Sequence, residues 1–231
     1  MINLINNRIN EIKKERYMEP KLLTYKESKE ARQRAHKLVE DVRKHSKIKG
    51  HFKFYTRLIG SAKRRCIIKD LNGKYDLDYQ IVLTKNSADG DKSPTKIKKA
   101  FLEAFTRCKN RNEKVEDSTT VVTVRVSKSE EKFESEVEKF SFDFVIISID
   151  ETKRIRRNGK NQYTWNELPS KNSDIYEKFN NLSGNEQRNL LEKYVIQYVI
   201  KEKQKRDESK RKPSIDIFYE GVNNYYNEHH F

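Results

Sequence analysis

The run Gly60–Leu83, GSAKRRCIIKDLNGKYDLDYQIVL, decides how this chain is read. Its last nine residues, YDLDYQIVL, alternate in polarity. A strand therefore sets Tyr75, Leu77, Tyr79 and Ile81 on one face and Asp76, Asp78 and Gln80 on the other. Asn72-Gly73 supplies the turn that feeds this strand. Just upstream, HFKFYTRLI (51–59) alternates in the same way and runs into Gly60-Ser61, a second strand entering a turn. Glycine there lets the backbone approach a phosphate closely, and the following N–H groups and hydroxyl can donate to its oxygens. Lys63, Arg64 and Arg65 add positive charge suited to a triphosphate.

Downstream, KFSFDFVIIS (139–148) reads as a strand with Phe140, Phe142, Phe144 and Ile146 on one face and Ser141, Asp143 and Val145 on the other. An aspartate among such neighbours has to be satisfied by something. Clustered carboxylates repel and desolvate badly, and a cation relieves both problems. Oxygen-only ligands suit Mg2+ or Mn2+ held by few carboxylates plus substrate phosphates, and a two-metal site clamps the attacking and leaving oxygens of an in-line displacement. Asp76, Asp78 and Asp143 are thus the candidate catalytic and metal-binding residues of phosphoryl or nucleotidyl transfer, with Gly60, Ser61 and Arg64 as phosphate binders. Taken singly, a Gly-Ser is a turn, a DxD is a solvated strand face and Asp143 is a structural ion pair. Order, spacing and strand context together carry the functional reading.

Around this centre, Ala31, Ala35, Leu38, Val39 and Val42 recur at helical spacing and predict a long amphipathic helix over 26–48, with a shorter one over 4–17 before it. Ser93 and Pro94 open a helix with the stripe Ile97, Ala100, Phe101, Ala104 and Phe105, which covers a sheet. STTVVTVRV (118–126) is a further β segment. After Asp150 the strand character fades into a basic loop, KRIRRNGKNQYTW, and helices follow over about 172–182, 185–205 and 213–227. The middle helix carries Leu190, Leu191, Tyr194, Val195, Tyr198 and Val199 on one face. KEKQKRDESKRK reads first as a solvated helix end and loop, and second as a nucleic-acid patch.

The 231 residues allow one large domain or two small lobes. Hydrophobic residues are 34% and charged residues 37%, so the surface is densely charged, while 11 Phe and 12 Tyr supply burial that disordered chains lack. A net charge of +15 favours a polyanionic partner, nucleic acid, nucleotide or an anionic membrane, with basic clusters at 96–99, 153–157 and 201–212. No run approaches a membrane span, and the N-terminal sequence lacks a signal-peptide apolar block, which points to the cytoplasm. Cys66 and Cys108 read as free thiols without metal-site spacing. None of His36, His45, His51, His229 or His230 has a metal or base spacing, and His229-His230 reads as an exposed tail.

The same residues, Gly60, Ser61 and Arg64, then Asn72-Gly73-Lys74-Tyr75, Asp76, Asp78 and later Asp143, resemble the nucleotidyltransferases of the DNA polymerase beta superfamily. Within it they are most similar to the branch of oligoadenylate synthetase, cyclic GMP-AMP synthase and bacterial CD-NTases. The resemblance implies an α+β fold: a mixed β-sheet nucleotidyltransferase core with an N-terminal spine helix (26–48) and a C-terminal helical lobe closing over the nucleotide. The corresponding domains are 1–160 and 161–231. It also implies a metal-dependent transfer of NMP from an NTP such as ATP to a hydroxyl, with pyrophosphate leaving and a cyclic or linear nucleotide second messenger of antiviral defence as product. LLEKYVIQYV resembles the family helix whose lysine contacts the donor triphosphate, which implies Lys193, and KPSIDIFYEGV resembles the segment whose serine reaches phosphate, which implies Ser214. The chain departs from the family at Arg65-Cys66, where Gly-Thr is usual, and at Ile215, where an aromatic often stacks on the base. An acceptor on RNA, tRNA or a protein, and a degenerate scaffold that binds RNA or double-stranded nucleic acid, are the alternatives.

Overall fold

A computed structural model of the chain describes residues 20–70, 72–85, 93–129, 136–168, 173–205, 207–210 and 212–229. The helix expected over 4–17 lies outside them. The chain divides into two units, one of Thr24–Arg65 with Asp76–Pro169, the other of Met1–Leu23, Cys66–Tyr75 and Ser170–Phe231.

The first unit is built on a mixed sheet. Strands β1 (Phe54–Leu58), β2 (Asp76–Leu83), β3 (Glu113–Asp117), β4 (Val121–Ser129) and β5 (Glu136–Ile147) lie in the order β1-β2-β5-β4-β3, and β6 (Lys153–Gly159) pairs with β5 and with β7 (Gln162–Glu167). Among the described ladders only β2 and β5 run parallel, Asp76 beside Ser141 and Asp78 beside Asp143. The other described ladders of this sheet are antiparallel. A parallel pair requires a crossover, and the chain between β2 and β5 provides it with helix α2 (Pro94–Cys108) and the β3–β4 hairpin.

Strand periodicity then separates two faces. Leu77, Ile81 and Leu83 from β2, Phe140, Phe142 and Phe144 from β5, and Val122, Val124 and Val126 from β4 are all buried. Helix α1 (Lys29–Lys44) buries Ala31, Ala35, Leu38, Val39 and Val42, and α2 buries Ile97, Phe101, Ala104 and Phe105, the stripes expected from spacing. Phe105 meets Phe144 at 4.7 Å between ring centroids, Phe101 meets Phe54 edge-on at 5.4 Å, and the Arg43 guanidinium lies 4.7 Å from the Phe54 ring centre. Each fully buried aromatic or aliphatic side chain contributes about 1.5–3 kcal/mol. Ser93 caps α2 through the Lys96 amide, with Pro94 in its first turn. Arg34 of α1 reaches β3 with a two-pronged pair to Glu113, 2.6 Å at each contact, and the Glu113 side chain is fully buried.

Two features differ from the sequence reading. The stretch expected as a basic loop after Asp150 is the β6–β7 hairpin. β6 buries Ile155 and β7 buries Tyr163, with Trp165 half-buried two residues further on and opposite Ile155, so the inward apolar side chains are few and stand among basic and polar neighbours. β3 (EKVED) also went unread, because its most deeply buried residue is Glu113.

The second unit holds helices α3 (Ser173–Asn181), α4 (Gly184–Leu190), α5 (Gln197–Gln204) and α6 (Ser214–His229), and the two-residue strand pair Lys21–Leu22 with Ile68–Lys69. Ser183 and Glu186 form a reciprocal cap at the start of α4. The core gathers Ile175, Phe179, Leu190, Tyr194, Val195, Val199, Phe218 and Val222. Between α4 and α5 the backbone widens into a π-helical turn, Leu191–Ile196. Its register buries Tyr194, Val195 and Ile196 in succession and leaves Tyr198 55% exposed. Tyr198 therefore leaves the apolar face that an uninterrupted helix would give it, and Ile196 takes a place in the core. Gly221 of α6 packs against this turn, where a Cβ would lie 2.7 Å from Val195 Cγ2 and 3.1 Å from the Tyr194 carbonyl oxygen. No described helix is long and apolar enough to cross a membrane.

Candidate active site

The face of the sheet opposite α1 and α2 carries the chemistry. Period two puts Asp76, Asp78 and Gln80 of β2, Ser141, Asp143 and Val145 of β5, and Val121, Thr123 and Arg125 of β4 on that face. Register makes the cluster: Asp78 is level with Asp143 across the parallel pair, Asp76 with Ser141, and Asp143 with Thr123 across the antiparallel pair. Neighbouring strands lie about 4.8 Å apart, so the three carboxylates share one patch.

Asp76 and Asp143 are each held by a neighbouring hydroxyl. The Ser141 hydroxyl donates to Asp76 Oδ1, and the Thr123 hydroxyl donates to Asp143 Oδ1 at 2.6 Å. Thr123 and Ser118 share a further hydroxyl contact of 3.0 Å. Asp78 lies against Gly60. That residue has φ +64, and a Cβ there would run into the Asp78 carboxylate, its Cγ only 3.2 Å away. Both the left-handed backbone and the close approach require glycine. The turn is fastened to β2 by the Ile59 amide donating to the Asp78 carbonyl at 2.9 Å, and it continues as one helical turn, Gly60–Lys63, with the Arg64 amide donating to the Gly60 carbonyl at 3.4 Å. Ser61 and Arg64 thus sit on the turn that abuts Asp78.

Burial pushes the Asp143 carboxyl above the usual aspartate range, the Thr123 hydrogen bond pulls it back, and the negative charge of Asp76 pushes it up again. Arg125 on the same face pulls in the opposite direction, and a buried carboxylate beside a second one is a setting that a cation relieves. The donors are carboxylate and hydroxyl oxygens, hard ligands that fit Mg2+ or Mn2+. Among the described residues no three His, Cys, Asp or Glu side chains are already gathered at metal-holding distances. The fit is one of donor chemistry and strand register, with Asp76 and Asp143 each turned to a hydroxyl on a neighbouring strand.

The two remaining candidates lie in the second unit. Ser214 opens α6, whereas Lys193 on the π-helical turn pairs with Glu228 at 3.4 Å. Glu228 lies 14 residues along α6 from Ser214, about 21 Å at 1.5 Å per residue. The structure does not bring Lys193 and Ser214 together. His229 belongs to α6, its ring stacked on Tyr225 at 4.3 Å. Neither Cys66 nor Cys108 is joined in a disulfide. Sequence reasoning did not reach Thr123 and Ser141, because their role depends on which residue stands beside which across strands.

A mixed sheet, with helices on its apolar face and an aspartate patch on its polar face, is an architecture that can be compared with solved structures. Among solved structures the chain is similar to the Vibrio cholerae enzyme DncV. It matches the 3′-deoxy GTP-bound form with a TM-score of 0.52 and 13% identity, over 88% of this chain and 52% of that one. The 3′-deoxy ATP-bound form gives 0.51 and 14% over the same shares, and the form with GTP and 5MTHFGLU2 gives 0.51 and 14% over 88% and 54%. At these identities the likeness establishes the fold, and the chain spans about half the length of the DncV chains. No protein-family model and no curated protein matches it.

Proposed function

We propose that the chain is a metal-dependent nucleotidyltransferase that moves an NMP from an NTP to a hydroxyl acceptor and releases pyrophosphate, making a cyclic or linear nucleotide second messenger. The observation that carries this reading is the register of Asp78 with Asp143, beside Asp76 and against the Gly60-Ser61 turn. Similarity to DncV, whose solved forms hold GTP and 3′-deoxy ATP, supports nucleotide substrates.

In the reaction the acceptor oxygen forms a bond to the α-phosphorus, the bond from that phosphorus to the pyrophosphate oxygen breaks, and the acceptor hydroxyl loses its proton. Asp76 and Asp78 are assigned to the donor triphosphate with its cation, and Asp143 to the acceptor side. Gly60 and Ser61 present backbone and hydroxyl donors to phosphate oxygens, with the Arg64 charge behind them. Divalent cations held by the three aspartates would neutralise developing charge and lower the acceptor hydroxyl's pKa. The first test is nucleotide binding without turnover. Mg2+-dependent quenching of a fluorescent ATP analogue, lost in Asp76→Asn/Asp78→Asn with the melting temperature preserved, supports the assignment. Equal binding by the double variant argues against it.

A further inference from the structure

We infer that Thr123 and Ser141 are positioning residues for the metal-binding carboxylates, an inference that rests on the nucleotidyltransferase reading of the same site. Both are buried, Thr123 at 5% exposure and Ser141 at 2%, and each spends its hydroxyl on one carboxylate. A buried hydroxyl needs a partner, but a strand residue can turn it to its own ladder or to a neighbouring carbonyl. Here both turn to the aspartate one strand away: Thr123 on β4 faces Asp143, and Ser141 on β5 faces Asp76. Ser118 contacts the Thr123 hydroxyl at 3.0 Å, which restrains the threonine in turn.

The consequence is a pair of oriented ligands. A hydroxyl holding Oδ1 fixes the rotation of the carboxylate about its last side-chain bond and leaves the second oxygen, and further lone pairs, for a cation. A free aspartate on an open sheet face would have to lose that rotation when it binds. Groups that orient metal ligands typically change affinity by about 10- to 100-fold when removed. The hydroxyls also lie within the sheet, so they are positioned when the strands pair.

The test is Mn2+ binding without nucleotide, followed by loss of the free-ion electron paramagnetic resonance signal, for the wild type, Thr123→Val, Thr123→Ser, Ser141→Ala, Ser141→Thr and Asp143→Asn. Near-UV circular dichroism identifies the folded variants. The expected result is an apparent Kd raised about tenfold in Thr123→Val and in Ser141→Ala, near wild type in Thr123→Ser and Ser141→Thr, with a broadened bound-Mn2+ spectrum in the first two. If one variant does not fold, the other decides. Wild-type affinity in the hydroxyl-deleted variants, together with loss in Asp143→Asn, overturns this inference and leaves the metal site standing. Affinity unchanged in Asp143→Asn as well overturns both.

Discussion

Arg65 has φ +59 on an exposed turn, a left-handed backbone that a residue with a Cβ adopts at a cost of about 1–2 kcal/mol. The related motif has glycine at this position. Arg65→Gly is expected to raise the unfolding free energy by roughly 1 kcal/mol in urea titration. Gly60 is the reverse case: Gly60→Ala adds the left-handed strain and pushes on the Asp78 carboxylate. Its Mn2+ affinity should fall by more than its stability accounts for, about tenfold by the same resonance titration. Arg34→Ala leaves the fully buried Glu113 carboxylate without its two-pronged partner, and chemical denaturation should register a loss of about 3–5 kcal/mol. At this scale the three aspartates and Gly60 were legible in the sequence, since a strand's period and a turn glycine appear in the residues themselves. Thr123 and Ser141 were not, because they matter through register with another strand. Lys193 was legible only as a likeness, and its pairing with Glu228 depends on how the π-helical turn meets α6.

Between elements, α2 is pinned to the sheet by a charge. Lys98 is 1% exposed, its Nζ donates to the Val121 carbonyl at 2.7 Å and lies 3.5 Å from Asp117 Oδ1, and burial lowers its pKa to about 8, with Asp117 opposing. The folded chain therefore gives up this proton near pH 8, while the unfolded chain keeps it to about 10.5. Between those values the unfolded state binds more protons, so stability rises with pH, by about 2–3 kcal/mol at pH 10 from this group. Tyr79 and Tyr163 are both pushed up to about 12 by burial, the Asp117 hydrogen bond adding to the effect at Tyr163. Above pH 10 the folded state holds protons the unfolded tyrosines have lost, and stability falls again. Urea midpoints across pH 7–11 should peak near pH 10, and Lys98→Met should remove the rising limb. A midpoint that falls steadily from pH 8 in the wild type would contradict the buried-cation account.

The elements that could be read were those with apolar period: α1, α2, β1, β2, β4, β5 and the C-terminal helices. β3 escaped because a buried salt bridge at Glu113 replaces the apolar pattern, and the β6–β7 hairpin because its inward residues, Ile155, Tyr163 and the half-buried Trp165, are few among basic and polar neighbours. Gly221 marks another contact that the sequence alone does not show. Gly221→Val would drive a branched side chain into the π-helical turn and should lower stability by about 1–3 kcal/mol.

For the whole molecule, a charge of +15 favours phosphate-bearing partners without selecting one, and in the proposed reading the aspartate patch is what selects the chemistry. The acceptor is what separates a nucleotide messenger from a modified RNA or protein. The decisive measurement is incubation of the purified chain with each α-labelled NTP and Mg2+ or Mn2+, with and without tRNA or duplex RNA, alongside Asp76→Asn/Asp78→Asn, with products resolved by size. The account predicts label in a small phosphatase-resistant product that disappears in the double variant. Label on RNA or on protein would keep the transferase and contradict the messenger. No transfer under any condition, with nucleotide-independent RNA binding that the double variant retains, would contradict the account as a whole.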